Sequence, residues 1–201
     1  MKFEDTLNKI IQSNFLIQKP NKAYYSEAGI QCKIAIEIYK QLRVEPVLEY
    51  KMKGKKKYLD IFCKYRKTRF GIELKYKTSR VKSEKFDYIS QGAQNNGKYD
   101  FLRDIARIES FFHYQAIDIG YVIFITNDKR YYNPARNNTL VKKFDLMNTL
   151  RKSYKPTWKG RKKNIKLKEK HSIAWLPNQK FNKNKNAVFF NYCMVKVNKQ
   201  V

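Results

Sequence analysis

The stretch YLDIFCKYRKTRFGIELKYK, residues 58–77, constrains this chain more than any other, because it sets acidic side chains into two strand-like runs separated by a basic turn. Side chains alternate along a strand with period two, and the runs 58–65 and 70–77 follow that alternation. A hairpin closed around residues 66–69 puts Asp60 opposite Lys75 and Phe62 opposite Glu73. Asp60, Glu73 and Lys75 then share one face of the sheet, and Ile61, Cys63, Ile72 and Leu74 share the other. A slip of the pairing by one residue would part the two acids.

Two carboxylates gathered on one sheet face repel each other unless a cation lies between them, and hard oxygen donors of this kind suit Mg²⁺ or Mn²⁺. Such an ion polarises a phosphodiester and makes water a competent nucleophile at neutral pH. Lys75, one pleat from Glu73, is placed to orient that water or to stabilise developing negative charge. Metal-dependent hydrolysis of a phosphodiester is the chemistry these residue types imply. The Glu-x-Lys triplet alone carries little weight, since Glu49-Tyr50-Lys51 is a second copy with no strand-borne acid upstream. The plain structural counterpart is a solvated hairpin face on which Asp60 and Lys75 form a weak cross-strand ion pair.

Asp60 followed by Glu73-x-Lys75 within FGIELKYK resembles the PD-(D/E)xK nucleases, the restriction-endonuclease-like superfamily, over residues 26–128, about half the chain. The resemblance implies an α/β fold: a restriction-endonuclease-like core with a central mixed β-sheet flanked by helices, extended here by a basic C-terminal segment. It implies that Asp60 and Glu73 hold the metal, that the backbone carbonyl of Leu74 joins them, and that Lys75 assists the attacking water. Glu27, on the preceding helix, matches an accessory acid of many members, and Gln91 or Gln94, on a helix expected after Lys75, matches a glutamine near the scissile phosphate. The proline that precedes the family's Asp is Leu59 here, and the match at Glu27 is looser than the others.

The charge points to a polyanion. The chain has 201 residues with 44 Lys and Arg against 17 Asp and Glu, a formal charge of +27. An AT-rich coding bias accounts for Lys over Arg, but not for the deficit of acids. The last third is the most basic: from residue 129 onward the acids are Asp145 and Glu169 alone. Within residues 151–171, Lys155, Lys159, Arg161, Lys162 and Lys163 are interleaved with Tyr154 and Trp158, which suits stacking on bases beside phosphate contacts. The same run also reads as a solvated loop that orders on nucleic acid. Lys53, Lys55, Lys56 and Lys57 form a second basic tip before the Asp60 strand, placed to touch a backbone entering the site or to keep a sheet edge soluble.

Two N-terminal helices are expected, the second capped by Ser26, with Glu27 in its first turn at the core-facing edge. From there Glu27 reaches toward the metal cluster or serves the helix dipole. Residues 44–52 read as a first strand and the Asp60 hairpin as the next two. Residues 83–95 and 99–114 read as helices, the latter burying Phe101, Ile105, Ile108 and Phe112 while Asp100, Arg103, Asp104 and Arg107 form solvated pairs. Residues 119–126 read as a buried strand, 137–151 as a helix, and 187–197 as a final strand or strand pair. This divides the chain into a nuclease core with N-terminal helices, 1–128, and a basic C-terminal subdomain packed on it, 129–201. Cys32, Cys63 and Cys193 have no metal-binding spacing and read as buried thiols, and His113 and His171 as structural.

These features set the functional expectation: a Mg²⁺- or Mn²⁺-dependent endonuclease acting on DNA, double-stranded, in a restriction, defence or mobile-element setting. A homodimer is expected if both strands are cut at one site. The alternatives are a non-catalytic nucleic-acid-binding protein on the same scaffold, or an RNA-cleaving enzyme of the same fold. The N-terminus lacks the order of a secretory signal and the longest apolar run is strand-sized, so a cytoplasmic protein without membrane contact is expected.

Overall fold

In the computed structural model of the chain, residues 2–52, 56–134, 144–155, 163–176 and 187–198 are described. Among the described residues, three helices longer than a single turn flank a mixed sheet of six strands. The helices are α1 (Phe3–Asn14), α2 (Glu27–Leu42) and α3 (Gln94–His113). The strands are β1 (Val47–Lys51), β2 (Tyr58–Tyr65), β3 (Thr68–Lys77), β4 (Ile119–Thr126), β5 (Trp175–Leu176) and β6 (Asn191–Asn198). They lie side by side in the order β5-β6-β4-β3-β2-β1. Only β3 and β4 run parallel, with Glu73 beside Val122 and Lys75 beside Phe124, and α3 makes the crossover between them.

Alternation along β4 shows how the sheet divides the interior. Tyr121, Ile123 and Ile125 pack with α1 and α2, in a core that includes Leu7, Ile10, Ile30, Ile34 and Ile38. Val122 and Phe124 pack with Phe101, Ile105 and Ile108 of α3. A strand apolar on both faces is what a sheet covered on both sides requires. Ser26 caps α2 as expected, its Oγ accepting the Gly29 N–H at 3.0 Å. Gly120 lets α3 approach closely, since a Cβ there would stand 2.2 Å from Cγ2 of Ile108. Gly120→Ala is therefore expected to destabilise the protein by about 1–3 kcal/mol through overpacking, read as a lowered urea midpoint at unchanged slope.

The hairpin of β2 and β3 differs from expectation by two residues. Tyr65 pairs with Thr68 and Phe62 with Gly71, so the turn is Arg66-Lys67, with Arg66 in the left-handed region at φ 57°. A shift of two keeps every side chain on its face. Ile61, Cys63, Ile72 and Leu74 accordingly lie in one core, the one facing α1 and α2.

Other expectations give way. Residues 83–93 are not a helix: Val81–Ser83 and Phe86–Tyr88 form a small hairpin whose Phe86 and Tyr88 are buried by period-two alternation, and Ser83 Oγ accepts the N–H groups of Lys85 and Phe86 in the turn. Of the helix expected over 137–151, residues up to 143 lie outside the described ones, while Asn148–Thr149 pairs antiparallel with Ser172–Ile173. The C-terminal third supplies strands β5 and β6 to the central sheet itself, and Phe144, Leu146, Tyr154 and Ile165 to the core beneath α3. Cys63 and Cys193 are buried thiols, whereas Cys32 is exposed. Among the described residues no helix is long and apolar enough to cross a membrane.

Candidate active site

The ladder between β2 and β3 stops at Ile61 opposite Ile72, and the next residues outward are Asp60 and Glu73. Beyond this point β3 has unpaired N–H groups on the β2 side, and carboxylates take them. Asp60 Oδ2 accepts the Leu74 N–H at 2.5 Å, and Glu27 Oε2 accepts the Tyr76 N–H at 2.7 Å. The carbonyl of a strand residue points the same way as its N–H, so Leu74 O faces this gap too. Leu59 belongs to the core under α3 and Ile61 to the core under α2, so β2 changes face across Asp60. Glu49, between the β1 partners of those two residues, has a left-handed φ of 48°. Alternation from Ile61 sets Asp60 on the α3 side, and the distortion of the strand pair brings Leu59 to that side as well.

α3 completes the site with two residues that the sequence reading placed among solvated pairs. Asp104 and Arg107 face the sheet: Arg107 Nη2 pairs with Glu73 Oε2 and with Asp104 Oδ1 at 3.0 Å, and Lys75 Nζ lies 3.3 Å from Asp104 Oδ2 and 3.7 Å from Glu27 Oε1. The signal was present. Asp104 stands three residues after Phe101 and four before Ile108, inside the apolar stripe rather than beside it, and an acid there has to meet a buried partner.

Burial dominates the electrostatics. Glu73 is 0% exposed, and its pKa is pushed well above the carboxylate range by burial first and Asp60 second, against the pull of Arg107. Its Oε1 has no hydrogen-bond partner. Burial likewise raises Asp60, opposed by the Leu74 N–H, and lifts Asp104 from 3.8 to about 6 against Lys75 and Arg107. Burial works against the charge on Lys75, but Asp104 and Glu27 outweigh it and its pKa rises.

A carboxyl whose folded pKa exceeds its unfolded value contributes stability that is complete below the unfolded pKa and lost as pH rises through the folded one. For Asp104 that window runs from 3.8 to about 6. In chelator, the wild type is therefore expected to lose stability relative to Asp104→Asn as pH rises through it, read by urea unfolding at a series of pH values.

Asp60, Asp104 and Arg107 line a cleft of about 730 Å³. Its rim carries Lys56 and Lys57 from the approach to β2, Arg103 from α3, and Lys163 and Lys166 from the C-terminal third. Tyr99 of α3 anchors that last segment by donating to Lys163 O at 2.7 Å. Glu109 holds it further along, accepting the Lys168 N–H at 2.9 Å and meeting His171 Nε2 at 2.9 Å, so His171 has the structural place expected of it.

Of the other expected site residues, Lys155 is exposed. Lys53, Lys55, Trp158, Lys159, Arg161 and Lys162 lie outside the described residues. The glutamines are not on a helix facing the site as expected. Gln91 lies before α3, its N–H bonded to Thr78 O, and Gln94 opens α3 and donates to Asp128 at 3.1 Å. The decoy Glu49 lines the cleft and accepts from Gln31, which also donates to the Asp60 carbonyl at 2.5 Å.

A hard divalent ion fits the donors. Glu73 presents an oxygen with no partner, Asp60 opens to the cleft, and Leu74 O faces the same gap. Among the described residues no group of three or more His, Cys, Asp and Glu side chains is gathered for a metal. An ion here would rest on two carboxylates and a carbonyl, and two carboxylates with substrate phosphate is a usual setting for Mg²⁺. No family model, curated protein or solved structure matches the chain.

Proposed function

We propose that this chain is a metal-dependent endonuclease of restriction-endonuclease-like fold that hydrolyses phosphodiester bonds in DNA. The observation that supports this most is the placement of Asp60 and of Glu73, whose Oε1 has no partner, at the end of a broken ladder, with Asp60 on the floor of a cleft whose rim is lysine and arginine. A site built only to grip phosphate gains nothing from buried acids beneath it.

Mg²⁺ or Mn²⁺ held by Asp60, Glu73 and Leu74 O would supply Lewis acidity to the phosphate and to water. The chain does the rest. Lys56, Lys57, Arg103, Lys163 and Lys166 hold the polyanion by its phosphates. Lys75, charged and paired to Asp104 and Glu27, stabilises negative charge next to Glu73 and orients a nucleophilic water. Glu27 fixes both Lys75 and the Tyr76 N–H, which makes it a positioning residue rather than a ligand. If both strands of a duplex are cut at one site, two copies act as a dimer.

One observation favours a non-catalytic DNA-binding protein: Arg107 already occupies one oxygen of Glu73. Incubation of supercoiled plasmid with Mg²⁺ or Mn²⁺, with and without chelator, separates the readings. Cleavage that requires the ion and is lost in Lys75→Ala supports the enzyme, and binding without cleavage under every ion supports the alternative. Single-stranded RNA as a parallel substrate tests the choice of nucleic acid.

A further inference from the structure

Glu73 is 0% exposed and does not line the cleft, whereas Arg107 does. Arg107 is the lid over Glu73: its Nη2 takes Glu73 Oε2, and its side chain stays 35% exposed. Its Nε is buried without a hydrogen-bond partner. This guanidinium thus contacts a buried carboxylate, keeps one donor unspent and borders a cleft wide enough to admit a phosphate backbone. Asp104, one helical turn away, bonds the same Nη2 at 3.0 Å and can keep hold of it when Glu73 lets go.

We propose that Arg107 is a substrate-phosphate ligand held in reserve by Glu73, released into the cleft when Glu73 is taken by another partner, with Asp104 as its tether. The inference rests on the nuclease reading, and deepens it by naming a residue that couples occupation of the acids to the grip on DNA. Planar guanidinium suits phosphate as well as carboxylate, so the exchange replaces one bidentate-capable partner by another. Removing the lid also opens the only oxygen pair of Glu73 to the cleft, so substrate and ion favour the same arrangement of Arg107.

The test uses DNA binding in chelator, where neither cleavage nor metal intervenes. A short fluorescein-labelled duplex is titrated by anisotropy with wild type, Glu73→Gln, Arg107→Met and the double variant. In the wild type Arg107 is engaged by Glu73, so Arg107→Met is expected to change affinity by less than about twofold. In the Glu73→Gln background Arg107 is free for phosphate, and its loss is expected to weaken binding about tenfold. Glu73→Gln alone is expected to bind more tightly than wild type.

The double variant removes the acid together with its partner, so that if Arg107→Met alone unfolds the Glu73→Gln background still decides: a loss of about tenfold there supports the proposal and no loss overturns it. Equal costs of Arg107→Met in both backgrounds, or no cost in either, overturn the proposal. Equal costs alongside metal-dependent plasmid cleavage sink the Arg107 role and leave the nuclease standing. Absence of any DNA binding sinks both.

Discussion

Asp60→Asn is expected to lower plasmid cleavage by a factor on the order of a thousand while leaving the fold and DNA binding in place. The amide keeps the volume of the side chain, and its oxygen can still accept the Leu74 N–H that Asp60 Oδ2 now takes at 2.5 Å. What is lost is the charge. On the proposed mechanism the pair at the end of the ladder would then not hold a divalent ion, since a single buried carboxylate already paired to Arg107 is a poor competitor. Binding is expected to be retained or strengthened, because on the proposed reading phosphates drawn to Lys56, Lys57 and Lys163 would no longer meet an acid on the cleft floor. Gel cleavage assays and anisotropy on the same preparations give both numbers. Undiminished cleavage would remove Asp60 from the mechanism.

Arg107→Ala is expected to cost about 2–3 kcal/mol of stability near neutral pH. Losing one partner of a buried ion pair generally costs somewhat more than this, and the 35% exposure of the guanidinium reduces it. The cost falls on Glu73, which would be left buried and charged with no cation on either oxygen. Protonation relieves it. Since burial already holds the Glu73 pKa well above 4.5, and Arg107 is what pulls it down, the variant carries a still higher value. Its instability relative to wild type therefore shrinks as pH falls through the interval between the raised wild-type value and the still higher value of the variant, above the ordinary carboxylate range, and is restored as pH rises through it. Glu73→Gln added to Arg107→Ala recovers part of the loss and removes the Glu73 share of its pH dependence, leaving the share of Asp104, which Arg107 also contacts. Chemical unfolding at several pH values reads all of this.

The hairpin was legible because its message survives an error of register. A turn of two residues in place of four moved Asp60 from opposite Lys75 to beside Glu73, and Ile61, Cys63, Ile72 and Leu74 kept their common face because the shift was even. Strand β4 was legible through its continuous apolar run, and α2 through Ser26. Asp104 and Arg107 were misread because charge pairs three apart on a helix are generally solvated, and that generality outweighed their position within the stripe of Phe101, Ile105 and Ile108.

The hairpin at Phe86 and Tyr88 was misread as helix because two alternating aromatics are too short a pattern to set a period. Beyond residue 129 the described strands are mostly two residues long, below the reach of periodicity, and their pairing depends on contacts distant in the chain. Of the cleft, Asp60, Lys56, Lys57 and Lys163 were named as site residues from the sequence, but not Arg103, Asp104, Arg107 and Lys166 beside them. The cleft gathers β2, α3 and Lys163 to Lys166, more than a hundred residues apart at the extremes, and tertiary packing alone brings them together.

The central claim is that Asp60 and Glu73 share a divalent ion, and calorimetric titration of the nucleic-acid-free protein with Mn²⁺ tests it most directly. One ion per chain in the wild type, lost or strongly weakened in both Asp60→Asn and Glu73→Gln, is the predicted result. Equal Mn²⁺ binding by the wild type and both variants, or none by any of them, would contradict it.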